Sequence, residues 1–333
     1  MTGPHQILMT NFSSAASLPP TEIELLVLAG GASGGGGNTG GGGGAGGLRM
    51  YTAGSTLTVD STLVYSLGVG AGGTQVGFNT AGNNGNNSFF SATGTNVVAT
   101  GGGGGGSAGP NGSAAGKLPN SGGSGGGGSA YANEDSNNDS GATGNAGGDL
   151  NGIPEGFAGG DGLDGSQNRT VAGGGGGASA AGSDGSNTPN PATGGAGGAG
   201  KTETITGLSL SIGGGGGGGT DCHSAGNSSS RGGTATHGGG TGGTNTPSEI
   251  DGSAGSVNTG GGGGGAAQNV ATGSLDNAGY AGGSGLIAIA YADTFADISS
   301  IGAGLTVGRS ADTTIRAGFK VYTFTAGSGN IQF

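Results

Sequence analysis

Gly194-Gly195-Ala196-Gly197-Gly198-Ala199-Gly200 sets alanine at every third place, and Gly239-Gly240-Thr241-Gly242-Gly243-Thr244 does the same with threonine. Three residues per turn is the period of the polyproline-II helix, which has no internal hydrogen bonds. Each N–H and C=O then points outwards and needs a partner on another segment. Where such rods pack side by side, any face that meets a neighbour must lack a Cβ. Gly-Gly-Ala and Gly-Gly-Thr rods therefore suit the margin of a bundle, with the small side chain facing out. All-glycine rods suit its interior, and seven runs supply them: Gly34–Gly37, Gly40–Gly44, Gly101–Gly106, Gly125–Gly128, Gly173–Gly177, Gly213–Gly219 and Gly260–Gly265. At ~3.1 Å rise per residue, Gly213–Gly219 makes a rod of about 22 Å.

Composition separates this solid from its alternatives. Glycine supplies 95 of 333 residues without a strict Gly-X-Y repeat, which excludes collagen. Disorder goes with high charge density, yet only 8% of the chain is charged. Ordering each residue costs roughly 1–2 kcal/mol of backbone entropy, and glycine loses the most. With 30% hydrophobic residues, burial of side chains cannot offset that alone, so backbone hydrogen bonds between segments must carry a large share. The fold class expected is a polyglycine-II helical bundle with small all-β portions and almost no α-helix.

Apolar strands flank the glycine. Ile23–Ala29 leads into the first run, and Leu286–Tyr291 follows the last. Ser55–Val59, Leu63–Val69 and Val97–Ala99 read as strands, and Thr204–Ile212 alternates at period two, as a half-buried strand should. These segments are expected to form a small β-structure at one end of the slab, with Phe89 and Phe90 in its core. Residues 1–20 read as an N-terminal extension, 21–292 as the slab with its strands, and 293–333 as a small C-terminal β segment. In the last, Phe319–Phe324, a turn at Ala326–Gly329 and Asn330–Phe333 read as a hairpin.

Four stretches, in this order, carry a family resemblance. They are Leu25-Leu26-Val27-Leu28-Ala29-Gly30-Gly31; Gly46-Gly47-Leu48-Arg49 followed by Tyr65-Ser66-Leu67-Gly68-Val69-Gly70-Ala71-Gly72-Gly73; Ala281-Gly282-Gly283-Ser284-Gly285-Leu286-Ile287-Ala288-Ile289-Ala290-Tyr291; and Gly318-Phe319-Lys320-Val321-Tyr322-Thr323-Phe324-Thr325-Ala326-Gly327. The chain resembles the glycine-rich fibre and adhesin proteins of tailed bacteriophages. The resemblance implies a sandwich of polyglycine-II helices whose connecting loops touch host surface receptors. It also implies a place on the virion surface and other virion proteins as partners. No attachment domain is recognisable.

The remaining signals argue mostly by exclusion. A net charge of −11 with eight basic residues is wrong for nucleic-acid binding. Cys222, the single cysteine, makes no internal disulfide and no cysteine-only zinc site. No apolar run approaches a membrane span of ~20 residues, and no secretory signal is visible before the first strand. Gly195–Thr202 satisfies the phosphate-loop pattern, but two prolines precede it where the chemistry needs a strand, and Thr204–Ile212 follows where it needs a helix. Glu134–Asp139 spaces oxygen ligands as calcium loops do, without the closing Glu, and Gly159–Asp164 matches one calcium nonapeptide where that architecture needs tandem copies. Both also read as solvated acidic loops. Asp221, His223 and His237 have no sequence signature that fixes them into a metal site or triad. No cofactor and no enzymatic activity are expected.

Recognition by loops remains, since a rigid scaffold presenting variable loops is the usual division of labour in binding proteins. Ser107–Ser124, Ser129–Ala172, Ala178–Pro191, Thr220–His237 and Thr246–Thr259 connect the rods. The longest carries the candidate receptor contacts Tyr131, Phe157, Arg169, Asp135 and Asp139. Aromatics with Asn and Asp suit carbohydrate or an outer-membrane protein. Tyr131 and Phe157 read equally as anchors that pin their own loop to the slab. Alternative readings are a head fibre or capsid decoration protein, an ice-binding protein displaying Thr and Ala, and an extracellular matrix protein. Should the chain form a homo-oligomer, Ile23–Ala29 and Phe319–Phe333 are the expected contact surfaces.

Overall fold

The computed structural model describes residues 17–108, 117–130, 154–165, 169–188, 191–222, 230–245, 250–268 and 277–333. These contain no helix. In chain order the strands are β1 Glu22–Leu28, β2 Thr39–Gly40, β3 Leu48–Tyr51, β4 Leu57–Thr58, β5 Tyr65–Gly68, β6 Ser88–Ala92, β7 Thr95–Ala99 and β8 Ser107–Ala108. There follow β9 Leu163–Gly165, β10 Arg169–Val171, β11 Ala192–Thr193, β12 Lys201–Glu203, β13 Leu210–Ile212, β14 Thr220–Cys222 and β15 Ser230–Arg231. The last four are β16 Leu286–Ala292, β17 Ser300–Ile301, β18 Leu305–Asp312 and β19 Phe319–Gln332.

The main sheet runs β3-β1-β16-β19-β5-β6-β7. It curls until β3 lies beside β7, where Arg49 Nε donates to the Val98 carbonyl. The result is a nearly closed barrel. Alternation along the strands sorts the side chains: Leu25, Val27, Ile287 and Ile289 point inward with Tyr65, Phe90, Tyr322, Phe324 and Phe333. Leu26, Leu28, Ala288 and Ala290 point outward, yet are buried as well, beneath Ala178, Ile205 and Ile212. Strands covered on both faces explain the continuous apolar runs at Leu25–Ala29 and Leu286–Tyr291.

Two strand expectations are corrected. Thr204–Ile212 is a hairpin turn plus one short strand, not a single strand. β12 pairs with β13, and the chain reverses through Gly207 (φ +81°), whose N–H bonds the Thr204 carbonyl at 2.8 Å. A straight strand would place Ile205 on the face opposite Leu210 and Ile212. The turn brings Ile205 and Ile212 into one cluster over β1 and β16, and that burial overrides the local alternation. The C-terminal hairpin is likewise replaced by one fourteen-residue strand, β19. It pairs with β16 up to Phe324 and with β5 from Ser328. Gly327 (φ +85°) marks the change of partner, so the Ala-Gly-Ser-Gly stretch bends the strand around the barrel instead of reversing it. Ser55–Val59 and Leu63–Val69 shorten to β4 and β5.

Every one of the seven glycine runs is buried. Gly40–Gly47 lies at the centre. Gly40, Gly43 and Gly46 donate to the carbonyls of Ala266, Gly263 and Gly260; Gly41, Gly44 and Gly47 to Gly106, Gly103 and Thr100; Gly42 and Ala45 to Gly173 and Gly176. Their carbonyls in turn accept from Gly219 and Gly216, from Gly35, Ala32 and Ala29, and from Gly127 and Ser124. These bonds measure 2.8–3.0 Å. A β-strand alternates between two neighbours. Here the partner changes in a cycle of three, and six segments surround the central one. The spacing leaves no room for side chains: a Cβ on Gly41 would stand 1.9 Å from the Gly127 carbonyl oxygen, and on Gly42 2.0 Å from that of Gly216. At the margin, Thr241 is exposed between buried glycines, and Ala196 and Ala199 are half-exposed.

Candidate recognition face

The two ends of the block differ. At one end the barrel strands enter and leave it: β1 runs directly into Ala29, β7 into Thr100, and Gly285 into β16. The opposite end gathers around Thr39. Thr39 pairs with Ala108 and bridges to Ala267, its hydroxyl donates to the Ala130 carbonyl, and the neighbouring Gly37 N–H bonds Asn277 at 2.9 Å. Ala108, Ala130, Ala267 and Asn277 therefore meet at a single cap although they are far apart in sequence.

Short strands complete this far end. β10 sits between β9 and β14, with Thr170 opposite both Asp164 and Asp221. β11 and β15 pair in parallel nearby. Beneath them runs a buried polar chain. The Thr220 hydroxyl donates to Ser230 Oγ at 3.1 Å, Ser230 Oγ to Asn245 Oδ1 at 2.9 Å, and Asn245 Nδ2 to Asp221 Oδ1 at 3.3 Å. All four residues are buried, which places the hydrogen bonds in a low-dielectric setting where they fix geometry strongly. Asp184 Oδ1 accepts the Asp161 N–H at 2.7 Å.

Of the sequence-derived contacts, Tyr131, Asp135 and Asp139 lie outside the described residues, as does His223. Arg169 opens the central far-end strand, its backbone opposite Cys222 and Gly165. Phe157 is 37% exposed, but it sits towards the barrel end, bonded through its backbone to Gly125 and Gly177 and two residues from Glu155, which pairs with Arg49. The structure therefore does not bring Phe157 and Arg169 together. Lys201 and Thr202, the end of the phosphate-loop pattern, form β12. Among the described residues no three His, Cys, Asp or Glu side chains converge as metal ligands, and no helix is long and apolar enough to cross a membrane.

Sequence reasoning missed a depression at the far end. It is lined by Thr244, Ile250, Asp251, Asn277 and Tyr280. Thr244 and Ile250 are joined by a bridge, and Asn277 and Tyr280 come from a separate segment, so no local pattern announces them.

A family model described as a glycine-rich domain matches residues 9–292. That is most of the chain, which belongs to this family. No curated protein matches it.

Proposed function

We propose that this glycine-rich-domain protein is a non-enzymatic bacteriophage virion-surface fibre protein, an adhesin whose glycine block is a bundle of polyglycine-II helices. The three-residue cycle of hydrogen-bond partners along Gly40–Gly47 supports the helix assignment, because three residues per turn is the period of that helix. Six neighbours around one rod give a stiff block without a large apolar core. Stiffness is what a protein under mechanical load outside a cell requires, and the hydrogen bonds between backbone groups supply it for the central segment.

The observation that carries the reading is the separation of the two ends. The barrel and its cover close one, and Ala108, Ala130, Ala267 and Asn277 crowd the other around Thr39. Segments that connect the elements of a rigid scaffold are the usual place for variable receptor contacts. Tyr131, Asp135, Asp139 and Arg169 belong to this set of proposed contacts, with Phe157 an anchor of its segment. The proposed partners are a host surface carbohydrate or outer-membrane protein and other virion proteins, with no nucleic acid, cofactor or inserted membrane segment.

The test is direct. Fluorescently labelled full-length protein is incubated with a panel of bacteria, beside a variant in which residues 131–153 are replaced by a Gly-Ser stretch of equal length. Saturable binding to a narrow set of strains, lost in the replaced variant, is expected. A folded protein that binds no strain, or binds phage capsids instead, rejects the adhesin.

A further inference from the structure

The structure assigns Asn84-Gly85 as a latent deamidation site, held shut by the glycine block and opened when its segments part; this stands apart from the adhesin reading. Asparagine is a thermolabile residue, and before glycine no side chain shields the following backbone nitrogen. The reaction balances with water alone. Gly85 N gives its proton to hydroxide and attacks Asn84 Cγ. The new N–Cγ bond forms as the carboxamide C–N bond breaks, and ammonia leaves with a proton taken from water. Water then opens the cyclic imide at either carbonyl, giving aspartate or isoaspartate and an added negative charge.

Solvent reaches the pair, since Asn84 is exposed and Gly85 half-exposed. Geometry withholds the reaction. The Gly85 N–H donates to the Gly102 carbonyl at 3.0 Å, and Asn84 Oδ1 accepts the Gly104 N–H at 3.0 Å. Ring closure requires the nitrogen to lose that proton and turn away from Gly102, while the Gly104 bond holds the carboxamide against the buried run Gly101–Gly106. Neighbours repeat the clamp. Asn87 Oδ1 accepts the Gly101 N–H at 2.8 Å, and the Asn83 and Asn86 carbonyls accept from Ser33 and Gly30. The same packing accounts for the dipeptide. A Cβ on Gly85 would stand 2.0 Å from the Gly30 carbonyl oxygen, and Asn84 supplies the acceptor that the Gly104 N–H needs. Opening therefore leaves a permanent mark. Isoaspartate routes the backbone through the former side chain and lengthens it there, so the bonds on the two sides of residue 84 cannot all re-form. Local opening becomes irreversible loss.

The full-length protein is kept in warm, mildly alkaline buffer beside a synthetic peptide of residues 80–90. Conversion at Asn84 is followed by mass spectrometry with fragment sequencing, because Asn111-Gly112 and Asn151-Gly152 share the dipeptide. Conversion in the folded chain is expected to be slower than in the peptide by roughly tenfold or more, since it tracks the population of the open form. Asn87→Ala, at an exposed position, leaves the Gly101 N–H without its acceptor and should raise the folded-chain rate by about threefold or more. Circular dichroism checks that this variant folds, and a sub-denaturing urea series on the parent chain should raise the rate in the same way. A folded-chain rate within about twofold of the peptide's overturns the gate. So does a slow rate that neither Asn87→Ala nor urea increases, because modification would then not follow opening. A peptide that does not convert overturns the site itself.

Discussion

Arg49 Nε lies 2.7 Å from Glu155 Oε1, with the glutamate side chain 1% exposed, and the pair fills the seam where β3 approaches β7. The same glutamate accepts the Thr100 N–H, where β7 runs into a glycine rod, and its backbone carbonyl accepts the Leu48 N–H. Barrel and block are thus stitched by one buried charge pair. Removing one partner leaves the other charge buried, which costs about 3–5 kcal/mol. Glu155→Ala should lower the chemical-denaturation stability by that amount, whereas Arg49→Met with Glu155→Leu should recover most of it. Equal losses in the single and double variants would show that packing, not charge, holds the seam.

Glycine is needed at some positions and not at others. Gly42→Ala puts a Cβ 2.0 Å from the Gly216 carbonyl oxygen, and neither segment can retreat because each has neighbours on its other sides. Overpacking of this kind costs about 1–3 kcal/mol or more. A Cβ on Gly77 would meet nothing within 4 Å, and the residue has no positive φ, so Gly77→Ala should stabilise by about 0.4–1 kcal/mol through the unfolded chain. Thermal melts of the two variants should move in opposite directions.

The pH limits of stability follow from named groups. Asp60 is held below its ordinary value of 3.8 by the N–H and hydroxyl of Thr62. Asp312 is lowered by the Thr314 hydroxyl and N–H, with Arg309 adding to the effect. A depressed folded pKa contributes stability that is present above the unfolded value and fades as pH falls through the folded one. Asp60→Asn and Asp312→Asn should therefore lower stability slightly at neutral pH, converge on the parent at low pH, and so flatten the acid limb below about pH 4. Tyr291 has the opposite sign: burial first, then the Tyr322 hydroxyl, raises its pKa. Its contribution is whole below the ordinary 10.0 and is lost as pH rises beyond that, by about 1.4 kcal/mol per pH unit at most. Tyr291→Phe should remove that alkaline dependence, followed by denaturation at several pH values.

What the sequence revealed and what it hid have physical reasons. The place of the glycine runs was legible because a missing Cβ is itself the requirement for close contact, and Thr241, Ala196 and Ala199 mark the margin by the same rule. Strand length was less legible. The alternation of Thr204–Ile212 fits one strand, but Ile205 is drawn to the face shared with Ile212 and Gly207 permits the turn. Ala326–Gly329 has turn composition, yet its groups find partners on β18 and β5, so the chain continues. The far-end depression and the Arg49–Glu155 pair were hidden because the order in which rods stack decides which distant residues meet. Glycine runs mark where segments can approach closely and say nothing of which segment lies beside which.

Stacking order can be read from amide hydrogen exchange. The N–H groups of Gly41, Gly42 and Gly43 bond to three different buried segments, so none can open without parting the block, and exchange there should track global unfolding. The Thr241 N–H bonds instead to the hydroxyl of exposed Ser253. It should exchange by local opening, orders of magnitude faster. Backbone groups are the main adhesive between rods, so protection should fall from the central segment outward, not from the apolar barrel outward. Uniformly fast exchange along Gly40–Gly47, with protection confined to β1, β16 and β19, would mean that the barrel alone is cooperative and that the glycine block merely rests on it.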